Sequence, residues 1–174
     1  TTQTVCILSG FLALTLAWFN SPTNYVPRPS FQISVLEGLA SLRNNDVQVN
    51  PTVVAWWDYG YASMFLNDLP TLIYGGTHST PSMHLVARSF LEPKQSMSIG
   101  ILKFLSSEGN EGVSRHQTLA SLDSSFAEYT NKPSDDLYLV LTQRTSDWMG
   151  SISKIGNWDI ETGTPIFPEN NQSK

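Results

Sequence analysis

Three short runs rich in β-branched and aromatic residues, separated by segments of helical periodicity, constrain the fold of this chain more than any other feature. They lie at residues 52–57 (TVVAWW), 71–74 (TLIY) and 136–142 (DLYLVLT). A short apolar run bounded by turn residues reads as a buried strand. Between and around them, apolar residues recur at helical spacing. In residues 31–42, Ile33, Leu36, Leu39, Ala40 and Leu42 share one face, with Ser30 as N-cap and Asn44, Asn45 and Asp46 as the stop. In residues 81–91, Met83, Val86, Ala87 and Phe90 do the same. Residues 96–105, 116–129 and 146–155 also read as helical, with Asp123 a candidate break in the second. Asp58 to Gly60 reads as a turn before a short helix at 61–66, and Gly75-Gly76 as a place needing free backbone dihedrals. Residues 156–174 are turn-rich. Strands alternating with helices predict an α/β fold, a mixed domain with several helices around a small sheet.

The N-terminal part reads differently. Residues 5–19 carry no charge but fall short of the roughly 20 residues a membrane-crossing helix needs. A signal peptide would want Lys or Arg before the run and a small-residue cleavage site after it. A buried core helix is a second alternative. The preferred reading makes residues 1–20 the end of a transmembrane helix, with Trp18 at the interface. Pro22, Pro27 and Pro29 make residues 21–30 an extended linker. Residues 31–174 then form the soluble domain. Charged residues are only 14% of the chain, against the usual quarter or so, which suits contact with lipid or another protein. A net charge of −5 with no basic run excludes a nucleic-acid partner. The one cysteine, Cys6, sits in the apolar run without a basic neighbour and reads as an inert thiol.

The chemistry concentrates in Trp56-Trp57-Asp58-Tyr59-Gly60. An indole N–H only donates and an ionised carboxylate only accepts. Together they satisfy one alcohol: the carboxylate takes its proton and an indole gives to its oxygen. A dry site built this way leaves about 1–3 kcal/mol of unmet polarity when the hydroxyl is missing, so it rejects a ligand without one. The residues alone leave a second reading open, a core aromatic pair followed by a turn aspartate before Gly60.

WWDYG resembles the signature of the oligosaccharyltransferase catalytic subunits, STT3 in eukaryotes, AglB in archaea and PglB in bacteria. Leu72 to His78, with its Gly75-Gly76 pair, is similar to a Gly-Gly-x-His stretch of the bacterial members. The resemblance spans residues 31–163, and the specific part of it is the pentapeptide. It implies a glycosyltransferase that moves a glycan from a polyprenyl-linked donor to the Asn of an Asn-x-Ser/Thr sequon. By resemblance, Trp56, Trp57 and Asp58 bind the +2 hydroxyl, and Tyr59 and Gly60 shape the turn presenting them. A second family element, Met-x-x-Ile on a helix after a strand, maps imperfectly. One register gives Thr145, Trp148 and Ile152; another gives Met149 and Ile152 and then fails at Gly156. Trp148 and Ile152 are the expected wall for the threonine methyl, with a core role for both as the alternative.

The resemblance further implies a divalent metal, Mg or Mn, and catalytic carboxylates on loops of a membrane domain outside this chain, so that this part has no catalytic residue of its own. It implies an inner-membrane protein whose soluble domain faces the periplasm. The partners are the acceptor peptide, the lipid-linked oligosaccharide and the membrane. Two alternatives are a non-catalytic periplasmic peptide-binding module and the soluble domain of another membrane glycosyltransferase. His78, His84 and His116 are too scattered for a metal site, and Asp135-Asp136 reads as a solvated turn. No GxSxG, P-loop or GxGxxG occurs. Asn171-Gln172-Ser173 is itself a sequon.

Overall fold

The computed structural model describes Thr15 and residues 31–44, 51–134, 136–159 and 161–167. The chain divides into two units, Thr1–Gln32 and Ile33–Lys174. The expected membrane-helix end and linker, residues 1–20 and 21–30, and the sequon at Asn171 lie outside the described residues, Thr15 apart. Among the described residues no helix is long and apolar enough to cross a membrane.

The second unit runs α1 (Ile33–Ser41), a 3-10 turn (Leu42–Asn44), β1 (Thr52–Val54), α2 (Trp57–Asn67), a 3-10 turn (Gly75–Thr77), α3 (Pro81–Leu91), α4 (Gln95–Ser114), α5 (Leu119–Tyr129), β2 (Leu137–Leu139), α6 (Gln143–Asp147) and α7 (Met149–Gly156). Among the described residues the strands form a two-stranded parallel sheet, with Thr52 opposite Leu137 and Val54 opposite Leu139. The expected α/β class holds, with seven helices among the described residues of this unit around a sheet smaller than the sequence suggested. The run at 71–74 makes one bridge, Val53 to Thr71, because Pro70 and the turn at Gly75 leave it no length to pair.

Thr52, Val53 and Val54 are all buried, as a strand covered on both faces must be. The core spreads from Val54 and Ile73 into α3, α4 and α5, where Phe104 meets Phe126 and Tyr129 edge-on, each at 5.2 Å between ring centroids. Each fully buried Ile, Leu or Phe contributes about 1.5–3 kcal/mol. Pro81 at the first turn of α3 supplies a dihedral already suited to a helix, so its start matches expectation. α4 outlasts its expected end at residue 105, continuing through a kink at Gly109, whose φ of 59° an L side chain would resist. α5 runs unbroken through Asp123, which pairs with the buried Arg88 of α3 at 2.7 Å.

α7 crosses α3 at backbone distance. A Cβ on Gly156 would lie 2.4 Å from the Ala87 carbonyl carbon, so only glycine lets the helices meet there. His84 of α3 shares its Nδ1 with the Ile155 carbonyl at 2.7 Å, and burial holds its pKa below the ordinary histidine value. This crossing anchors the far end of the segment that carries Trp148.

Candidate functional site

Parallel pairing puts the carboxyl ends of β1 and β2 on the same edge of the sheet. Each strand there feeds a helix within a few residues, β1 into α2 and β2 into α6. Open parallel sheets bind ligands at this edge, because strand ends and helix N-termini converge there. Trp57, Asp58 and Tyr59 open α2, while Gln143, Arg144 and Thr145 open α6.

The motif is helical where the sequence suggested a strand end and a turn. Aromatic residues after Val53-Val54 extend the strand pattern, but Trp56 is already the N-cap and Trp57 the first helical residue. Asp58 in the first turn complements the positive end of the helix dipole. Gly60 serves close approach: a Cβ there would lie 2.4 Å from the Ile73 carbonyl oxygen. Gly75 and Gly76 likewise make room, since a Cβ on either would strike the ring of Tyr61 or Tyr74 within 2.8 Å. Neither has a positive φ, so their need is space and not the dihedral freedom expected of them.

The two indoles part company. Trp56 is 2% exposed and packs on Phe90, with its Nε1 buried and without a hydrogen-bond partner. Trp57 lies half-buried at the surface, its ring edge-on to that of Trp148 at 6.4 Å. Between these two faces sits Asp58, its side chain 11% exposed. Arg144 Nε lies 2.9 Å from Asp58 Oδ2 in an ion pair, on a side chain that is 42% exposed. Asp58 Oδ1 is buried and makes no hydrogen bond of regular geometry. Burial pushes the Asp58 carboxyl above the ordinary aspartate range, against Arg144 and the amides of Asp58 and Tyr59, which favour the charged form. Other unmet polar atoms occur on Ser63, Asn67 and His84. At Asp58 the unmet oxygen coincides with an ion pair to a surface cation and a half-exposed indole as its chain neighbour.

Thr142 ties the two helix starts together. Its hydroxyl caps α6 by accepting from the Thr145 amide and donates to the Tyr59 hydroxyl at 3.1 Å. Tyr59 is therefore buried as a tether, beneath the exposed part of the motif. Trp148, 39% exposed, sits at the junction of α6 and α7, while Ile152 is fully buried in the core. Met149, at the alternative register, is 37% exposed. Of the expected site residues, Trp57, Asp58 and Trp148 meet at the sheet edge. Trp56, Tyr59, Gly60 and Ile152 lie behind it. Arg144 and Thr142 join the cluster without having been singled out; a basic residue closely following the second strand was the available signal.

Among the described residues, no group of three His, Cys, Asp or Glu could hold a metal ion. His78 is exposed and bonds its own turn at the Gly75 carbonyl, 2.7 Å away.

Three comparisons bear on this arrangement. The family model of the STT3/PglB/AglB core domain matches residues 50–162. The undecaprenyl-diphosphooligosaccharide–protein glycotransferase of Campylobacter jejuni is 23% identical, over 93% of this chain and 26% of its own length. The dolichyl-phosphooligosaccharide–protein glycotransferase of Methanocaldococcus jannaschii is 28% identical, over 52% of this chain and 10% of its own. The crystal structure of the C. jejuni PglB C-terminal domain superposes with a TM-score of 0.52 at 18% identity, covering 74% of this chain and 54% of that one. The chain thus spans about a quarter of the Campylobacter relative, and the similarity in structure is one of fold.

Proposed function

The chain belongs to the STT3/PglB/AglB core-domain family, and from that premise we propose that it is the acceptor-reading part of a complete oligosaccharyltransferase. In this reading the enzyme moves a glycan from a polyprenyl-linked donor to the Asn of an Asn-x-Ser/Thr sequon. The domain holds the +2 residue so that the Asn amide reaches a reaction centre elsewhere in the enzyme. The observation that carries this is the half-paired Asp58. One carboxylate oxygen is held by Arg144, and the other is buried and makes no hydrogen bond of regular geometry. A buried acceptor left unmet costs about 1–3 kcal/mol, which an arriving alcohol offsets.

In this reading the Trp57–Trp148 pair, in edge-on contact beside Asp58 in the chain, supplies the apolar flank for the small carbon body of a Ser or Thr side chain. Since Oδ1 lies below the surface, the peptide reaches it by displacing a side chain. Trp56, Tyr59, Gly60 and Ile152 support the site from within: Trp56 anchors the start of α2, Tyr59 and Gly60 fix its pose, and Ile152 seats α7. The chemistry of transfer, with a Mg or Mn ion, belongs to the part of the enzyme beyond this chain. Placement at the inner membrane, with the domain on the periplasmic side, goes with the polyprenyl-linked donor.

Holding one end of the acceptor converts a diffusional encounter into an oriented one, and this is the domain's whole contribution to rate. In the complete enzyme, Asp58→Ala is expected to reduce glycosylation of a Thr-containing sequon peptide by more than about a hundredfold, as loss of a charged hydrogen bond and of orientation together predict. Its melting temperature should stay at or above that of the native protein. Full activity in a folded Asp58→Ala enzyme would return the motif to a purely structural role.

A further inference from the structure

We propose that Arg144 is a positioning residue for the acceptor site: it grips one oxygen of Asp58 and so leaves the other, charged and correctly turned, for the alcohol of the acceptor peptide. This rests on the reading of Asp58 given above and adds to it a residue outside the motif.

To accept a proton from an alcohol, Asp58 must be ionised, yet burial works against the charge. A carboxylic acid would offer a donor where the alcohol also offers one, and the pocket would lose its sense of direction. Arg144 is the charged group that opposes this, at 2.9 Å. A guanidinium cannot give up its proton in a protein, so its support does not lapse with pH.

The contact runs from Nε to Oδ2. Oδ2 is thereby engaged, and Oδ1 is the oxygen left buried without a hydrogen bond of regular geometry. Arg144 is itself held in register with Asp58. Two residues before it, Thr142 caps α6 and bonds Tyr59, the residue that follows Asp58. Four residues after it, Trp148 leans on Trp57, the residue that precedes Asp58. Contacts from three positions of the 142–148 segment thus land on three consecutive positions of the motif. An incidental surface ion pair would not be bracketed in this way, and surface pairs alone contribute little.

The test uses the complete enzyme, a peptide with Thr at +2, and steady-state rates across pH. Arg144→Gln is expected to raise the peptide KM about tenfold while kcat changes by less than about twofold, the pattern of lost ground-state positioning. The acid limb of its kcat/KM profile should move to higher pH, because Asp58 now protonates more readily. Arg144→Lys keeps the charge and loses the planar grip, so its KM should rise while the acid limb stays at the native position. A folded Arg144→Gln enzyme with native KM and native acid limb overturns the proposal, as does a loss confined to kcat. Should Arg144→Gln not fold, a native KM in Arg144→Lys overturns it equally. Asp58→Ala separates the two claims: if that enzyme is inactive and the Arg144 variants are native, the acceptor reading stands and only the role of Arg144 falls.

Discussion

Two ion pairs in this molecule are built in opposite senses. In the helical core, Arg88 is 4% exposed and its partner Asp123 is 35% exposed, with 2.7 Å between them. At the carboxyl edge of the sheet, the anion is the buried member: Asp58 is 11% exposed and Arg144 is 42%. The difference follows from what each charge requires. A guanidinium is weakly hydrated and tolerates burial when it lies on a ring, and Arg88 sits 5.9 Å from the Phe126 centroid, with Glu92 at 4.0 Å as a second counter-charge. That pair staples α3 to α5. A carboxylate is strongly hydrated, and burying it with one oxygen unmet raises its pKa and leaves an acceptor waiting. The core pair is a finished structural element, and the edge pair leaves one carboxylate oxygen unmet.

The contrast is open to attack from its stronger side first. Asp123→Ala should leave Arg88 buried with only the longer Glu92 contact and lower the unfolding free energy by about 3 kcal/mol, the low end for breaking a buried pair. Urea titration measures it, and a loss below about 1 kcal/mol would mean that Arg88 is not committed to Asp123. Peptide KM should be untouched in the surviving folded fraction. Trp148→Ala tests the opposite region. Loss of one edge-on aromatic pair should reduce stability by only about 1 kcal/mol, while the peptide KM rises several-fold. A change in stability without a change in KM would move Trp148 from the site into the core.

The smallest effect is also the most specific. Because the folded Asp58 carboxyl titrates above the ordinary value of 3.8, its neutral form is the one folding prefers. Stability from this group is fully present below that value and is lost as pH rises through the folded pKa. Asp58→Asn should therefore melt slightly higher than the native protein at neutral pH, with the difference closing as pH falls below 3.8. A variant that melts lower at neutral pH would show that Asp58 serves the fold and not a ligand.

Legibility from sequence divides along the same line. α3 could be read to the residue, because Pro81 marks its start and Met83, Val86 and Ala87 repeat at helical spacing on its buried face. α1, α5 and β2 were recognisable with blurred ends. The pentapeptide could be marked as a candidate site from the donor and acceptor inventory of Trp and Asp, beside a core reading that the buried Trp56 fulfils. Its conformation could not: aromatic residues after Val53-Val54 continue a strand pattern, and the competing signal for a helix start, Asp58 near an N-terminus, is weak beside it. The run at 71–74 had strand composition without the room to pair.

Local chemistry, then, was legible within the sequence: a small sheet among helices, and a pentapeptide whose donors and acceptors suit one alcohol. The tertiary structure decided which of two adjacent indoles faces outward, that Ile152 turns inward while Trp148 does not, and that Arg144 is the partner of Asp58. These depend on the parallel pairing of β1 with β2, a contact between distant parts of the chain. Periodicity reports which face of an element is apolar, and only the closing of that long loop decides what the face meets.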